Sequence, residues 1–174
     1  MLKALIAVAL LSSFPALAQH SHYAGQEARD IKSLSEDEVQ QYLSGAGMGY
    51  AKPAELNQYP GPMHALELAE RLKLTTEQRG ALKALMDSHK AQAREIGKRL
   101  VDAERALEGL FKSGKVEAGE LRAKVEAAAA LQAEYRLAHL ETHRRARSLF
   151  TDEQVKQYDA LRGYGKAGAQ RHKH

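Results

Sequence analysis

The sequence predicts an all-α protein organised around a long antiparallel helical hairpin with short flanking helices. Three observations carry that prediction. Apolar residues recur at alternating intervals of four and three along two long stretches, the spacing of a helical seam. Aromatics make up only 6% of the 174 residues and prolines number four, a composition that suits helices and argues against a large β-sandwich or barrel. Three Ser/Thr-x-x-Glu/Gln boxes stand where helices should begin. The length suits one domain.

The elements follow in chain order. Residues 1–18 read as a signal peptide: Lys3 gives a positive start, residues 4–11 are apolar but too short for a membrane span, and Ala16-Leu17-Ala18 is an A-x-A cleavage site. The mature chain is expected to begin at Gln19 in the periplasm, and loss of Lys3 lowers the formal charge from +4 to +3. No second apolar run is long enough to cross a membrane. The chain has no cysteine, which removes disulfides, thiolate metal sites and cysteine nucleophiles together. Residues 19–59 form a polar N-terminal segment. Its start, 19–33, is expected to be mobile, and the Ser35–Glu38 capping box opens one short helix that Ser44-Gly45 ends. Gly47-Met48-Gly49, Pro53 and Pro60 make an irregular connector, and Pro62 suits the first turn of a helix carrying Ala65, Leu68, Ala69 and Leu72.

The body of the protein lies between the boxes at Thr75–Gln78 and Thr151–Gln154. The first seam runs Leu82, Met86, His89, Ala93, Ile96, Leu100, Ala103, Leu107, Leu110, one of its members a histidine. Ser113-Gly114-Lys115 supplies the turn. The second seam runs Leu121, Val125, Ala128, Leu131, Tyr135, Ala138, Thr142, Ala146, Leu149. A last helix carries Val155, Tyr158 and Leu161, and residues 165–174 form a basic, disordered tail. The first arm should reach about 55 Å at ~1.5 Å per residue. So thin a hairpin has a poor surface-to-volume ratio, so apolar surface should remain for a partner chain or client. Gly97 inside that arm is either a tolerated cost of ~1 kcal/mol or the mark of a bend or close helix approach.

Leu74-Thr75-Thr76-Glu77-Gln78 and Phe150-Thr151-Asp152-Glu153-Gln154, flanking a hairpin in an exported cysteine-free chain, resemble the LTxxQ-motif family of bacterial periplasmic proteins. That family holds the Spy/CpxP-like chaperones and their ZraP/CnrX-type heavy-metal resistance and sensor relatives. The second motif departs from the pattern, with Phe150 where the family has Leu. The resemblance covers residues 60–164. It implies a cradle-like homodimer in the periplasm that acts as an ATP-independent chaperone, as an envelope-stress adaptor, or as a metal-binding or metal-sensing protein. The metal-sensor relatives use a histidine pair near the first mature helix, whereas His64 has no histidine four residues away.

No nucleophile elbow, phosphate loop or paired-carboxylate motif is present, so no catalytic residue is assigned and no enzyme is expected. The mild, interspersed charge does not point to nucleic acid. His139 and His143, four apart, stack on one helix face, and the hairpin register puts His89 level with them. These three are the candidate ligands for zinc, nickel or copper, against the plainer possibility that His89 fixes register and the others face water. His20 and His22, beside the amine of Gln19, and His172 and His174 at the other end are a softer metal feature. No cofactor is required. Basic side chains beside apolar stripes, Arg94, Lys98, Arg105, Arg136 and Arg144 among them, give an amphiphilic face for unfolded or envelope proteins. Leu74, Thr75, Gln78, Thr151 and Gln154 are assigned to capping. The first expectation is a chaperone or stress adaptor, with a membrane sensor among its conceivable partners and no stable membrane insertion. The alternative is a heavy-metal-binding or sensing protein of the same fold.

Overall fold

The computed structural model describes residues 23–164. The expected signal peptide at 1–18, His20, His22 and the tail with His172 and His174 fall outside the described residues. The described chain is all-helical: α1 (Glu36–Ser44), α2 (Lys52–Glu55), α3 (Pro62–Glu67), α4 (Thr76–Lys112), α5 (Ala118–Arg147) and α6 (Asp152–Arg162). No strand occurs among the described residues. The long helices α4 and α5 run antiparallel. Gln78 reaches the Leu149 carbonyl, the rings of His89 and His139 touch, and Arg99 pairs with Glu134.

Two apolar clusters hold the helices. At the base, Ala65, Leu72, Leu74, Leu82, Phe150, Val155 and Tyr158 bring α3, α6 and the joined ends of α4 and α5 together. Higher up, Ile31, Tyr42, Ala93, Ile96, Leu100, Tyr135 and Ala138 seat the N-terminal segment on the helix pair. The band between them carries His89, His139 and Thr142. Beyond Val101 on α4 and before Ala128 on α5, only Leu110 is buried. There the pair extends past both clusters.

The base is locked by the two motif glutamines. Thr75 and Thr151 each accept from the backbone N–H three residues on, and Gln78 and Gln154 each accept from their own threonine's N–H, closing two capping boxes. The same two amides also bond each other, Gln78 Nε2 to Gln154 Oε1 at 2.8 Å and Gln154 Nε2 to Gln78 Oε1 at 3.0 Å. The remaining protons go to the Leu149 carbonyl (2.7 Å) and the Leu72 carbonyl (3.3 Å). Each amide thus uses both N–H donors and both lone pairs of its oxygen. A glutamate could close the box but has no proton for the second half of this network.

Three local expectations change. The helix expected through Leu72 ends at Glu67 and gives way to turns, with Lys73 in the left-handed region at φ 50°. The turns aim the Arg71 and Leu72 carbonyls at Gln157 and Gln154 of α6. Val125, assigned to the seam, is 46% exposed, because no element covers the far end of α5. The stretch 19–33 is not wholly free: Ile31 is buried, Lys32 pairs with Glu108 at 2.7 Å, and Lys112 donates to the Asp30 carbonyl.

Gly97 resolves as a close approach. A β-carbon there would overlap the Tyr42 carbonyl oxygen, lie 2.8 Å from its carbon and 3.2 Å from Tyr135 Cε2. Alanine gains ~1 kcal/mol of helix propensity, but overpacking against backbone costs about 1–3 kcal/mol. Gly97→Ala should therefore destabilise, and a raised melting temperature would contradict the close packing. Thr75→Ala should cost ~1 kcal/mol through the lost cap. Gln78→Glu keeps the cap acceptor yet strands the Leu149 carbonyl and sets two oxygens together, about 1–3 kcal/mol. Urea denaturation of the two variants tests this order: if Gln78→Glu is the milder, the amide pair is not what secures the base.

Candidate functional site

Between the two clusters opens a cleft of about 600 Å³. One wall is α4 and α5, carrying Met86, His89, His139, Thr142 and His143. The other is the N-terminal segment from Ser44 to His64. That segment is held in place by aromatic and polar contacts. Tyr135 donates to the Ala46 carbonyl at 2.7 Å, Tyr42 and Tyr50 share a hydrogen bond, and both rings meet Tyr135 edge-on. At the lower end Glu55 accepts from Tyr158, Tyr164 and the Gly61 N–H.

The three histidines expected to meet all border this cleft. His89 and His139 pack ring to ring, centroids 4.5 Å apart and nearly perpendicular. His139 is buried and its Nδ1 lies 2.9 Å from the Tyr135 carbonyl. A carbonyl only accepts, so Nδ1 carries the proton and Nε2 the lone pair. That Nε2 is buried with no hydrogen-bond partner among the described residues, as is Nδ1 of His89. His143 is turned the same way by a 2.8 Å bond from Nδ1 to the Tyr59 carbonyl, with Glu55 3.5 Å off. No three of the described His, Asp or Glu side chains are grouped to hold a metal ion by themselves.

Burial and the neighbouring imidazoles His139 and His143 push the His89 pKa down to about 4. Burial also lowers that of His139, against the pull of the Tyr135 carbonyl. Burial and Tyr50 raise that of Tyr135 to about 12, so its hydroxyl stays a donor.

The basic residues assigned to a client-binding face are all exposed but mostly engaged. Lys98 pairs with Asp102, Arg105 with Asp30 and Asp102, and Arg144 with Glu141 through two bonds. Arg94 leans on the Ser44 carbonyl at the cleft rim, and Arg136 has no ion-pair partner among the described residues. Leu74, Thr75, Gln78, Thr151 and Gln154 sit at the base, where their contacts are structural. The sequence missed the tyrosine clamp, the Glu55 hub and the methionines of the cleft, Met48, Met63 and Met86. Gly47-Met48-Gly49 was the available signal: Met48 takes φ 47°, a strained conformation for a residue with a side chain.

The model of the LTXXQ motif family matches residues 62–162. The chain belongs to the LTXXQ motif family. No curated protein and no solved structure matches it significantly. The matched span begins at α3, so the family pattern covers the base and the long helices, and most of the opposite cleft wall precedes it. Among the described residues no helix is long and apolar enough to cross a membrane.

The histidine shifts fix a pH dependence. A histidine whose folded pKa lies below its unfolded ~6.5 binds fewer protons when folded, so stability is full above ~6.5 and falls as pH drops toward the folded value. The carboxylates held low by partners, such as Glu38 and Glu141, act mainly below ~4.5. The urea midpoint should therefore decline between pH 6.5 and 5, and His89→Leu should flatten that decline. An unchanged slope in the variant would mean that His89 protonates freely in the folded protein.

Proposed function

We propose that this member of the LTXXQ family works in the periplasm as an ATP-independent chaperone or envelope-stress adaptor, a homodimer that binds unfolded or partner proteins reversibly. One observation carries the reading. The far ends of α4 and α5, past both apolar clusters, leave Phe111, Val116 and Val125 exposed beside Lys112, Lys115, Arg122 and Lys124. Exposed apolar side chains next to long cations give weak, adaptable attachment. Charge speeds encounter with acidic segments, and the apolar groups hold them. Family membership supports the compartment and the non-catalytic class. The ion pairs along the helix middles are solvent-exposed and contribute little stability, which leaves those side chains free to exchange partners.

The far end also suits pairing of two copies, since Phe111 and Val125 stay uncovered there. In this reading the dimer presents both ends together as a cradle, and clients meet its inner face.

Aggregation of several unfolded clients should be delayed at a few-fold molar excess of the protein, without ATP or metal, and less so as salt screens the charges. Phe111→Ser with Val125→Ser changes only exposed positions, so it should leave the melting temperature nearly unchanged while reducing the delay severalfold. No delay with the unaltered protein across all clients would sink the chaperone reading. A double variant as active as the parent would move the binding surface elsewhere.

A further inference from the structure

Every histidine and every methionine among the described residues borders the one cleft of about 600 Å³. Nothing in the client-binding reading calls for that coincidence. We propose that the cleft binds a soft monovalent metal ion, Cu(I) or Ag(I), through the imidazoles of His89 and His139 and the thioethers of Met86, Met48 and Met63.

The argument begins with the donors. The His139 ring is 96% buried by its 4% exposure, is fixed by the bond from Nδ1 to the Tyr135 carbonyl, and keeps its Nε2 lone pair unpartnered. A ligating histidine is oriented in this way, one nitrogen anchored to a carbonyl and the other left to the metal. His89, against it, also has an unpartnered buried nitrogen. Met86 precedes His89 by three residues and shares its helix face. Met48 and Met63 come from the opposite wall, where Met48 is held at φ 47° between two glycines. Unbranched methionine side chains can change rotamer to close on a ligand while the wall that carries them stays in place.

Ion type follows from what the donor set offers and omits. Glu55, the carboxylate lining the cleft, is engaged by Tyr158 and Gly61. Hard, oxygen-seeking ions therefore have little here. Thioethers select Cu(I)-like ions, and imidazole suits copper as well. Lys52, Lys90, Arg94 and Arg162 also border the cleft. Coulomb repulsion scales with charge, so they oppose a divalent ion about twice as strongly as a monovalent one. Burial favours the neutral form of both imidazoles, which is the form that ligates a metal.

The test uses the full mature chain with His20, His22, His172 and His174 all changed to alanine, which removes the terminal ligands. Silver nitrate, Cu(I) under competition with a chromophoric chelator, Zn(II) and Ni(II) are the probes. Ag(I) and Cu(I) should bind one per chain, raise the melting temperature, and shift the methyl signals of Met48, Met63 and Met86 in the NMR spectrum. Met86→Leu preserves volume and should weaken Ag(I) at least tenfold with an unchanged metal-free melting temperature. His139→Gln should do the same where it folds, and Met86→Leu decides the matter where it does not. Silver affinity unaffected by Met86→Leu, or Zn(II) bound more tightly than Ag(I), would overturn the proposal. The aggregation assay runs without metal, so its outcome is independent of this one.

Discussion

Two side-chain amides, Gln78 and Gln154, set the frame on which the rest of this molecule depends. Their pairing ties the first turn of α4 to the first turn of α6, and their outer protons bind the carbonyls of the chain just before the opposite motif. A reciprocal amide pair has a fixed geometry, so the start of α4 cannot slide relative to the end of α5 without breaking several bonds at once. That pin fixes register. From Gln78 to His89 is eleven residues up α4, and from Leu149 to His139 is ten down the chain of α5, about 15–17 Å in each case. The ring contact in the middle of the helices is therefore determined at the base. A helix pair joined only by a short turn at Ser113–Lys115 would lack that constraint at its other end.

The second constraint is the missing side chain at Gly97. It lets the backbone of α1 lie directly on α4, with the Tyr42 carbonyl where a β-carbon would otherwise be. Tyr42, Tyr50 and Tyr135 then clamp the following connector to α5. The cleft exists because this roof is held at a fixed height at Tyr42–Ala46 and again at Glu55–Gly61. Between those supports it runs through Gly47, Met48 and Gly49, of which only Met48 packs against the upper cluster. A wall supported at both ends and thin between them has room for a ligand.

Much of this was legible in the sequence, and the boundary between what was and was not is physical. Helix starts at 36, 76 and 152 follow from local chemistry, since a capping box is a contact between residues three apart. The seam from Leu82 to Leu100 follows from periodicity. Periodicity says only which face is apolar, and it assigned Val125 inward although no element was available to cover it. The role of Gln78 beyond its own cap required knowing that Gln154 would lie against it, 76 residues away. Ile31 was overlooked because a lone apolar residue in a polar stretch has no period. The level of His89 against His139 was legible from the turn position alone. The methionines of the opposite wall were not, because that wall is irregular and only the tertiary contacts of Tyr42 and Glu55 say where it goes.

The imidazole pair is a poor choice for stability, and that weighs on how the middle of the molecule is understood. It sits between two apolar clusters, on a seam whose other members are mostly Leu, Ile, Met and Ala. A leucine pair there would add buried apolar contact at ~25 cal/mol per Å². It would also remove two buried nitrogens lacking partners, each of which costs about 1–3 kcal/mol when nothing pairs with it. Register does not demand the histidines, since the glutamine pair at the base already supplies it. Nor does solubility, since His139 is buried. Met48 adds a strained backbone on the facing wall, a further cost of order 1–3 kcal/mol. Three destabilising features around one cleft, in a protein whose two motif amides are fully paired at its base, place the cost where a ligand would repay it. The far end of the helices carries no comparable polar cost, only uncovered apolar surface. The molecule therefore divides into a base locked by its paired motif amides, a middle that lacks a partner for its nitrogens, and an end that lacks a partner for its apolar side chains.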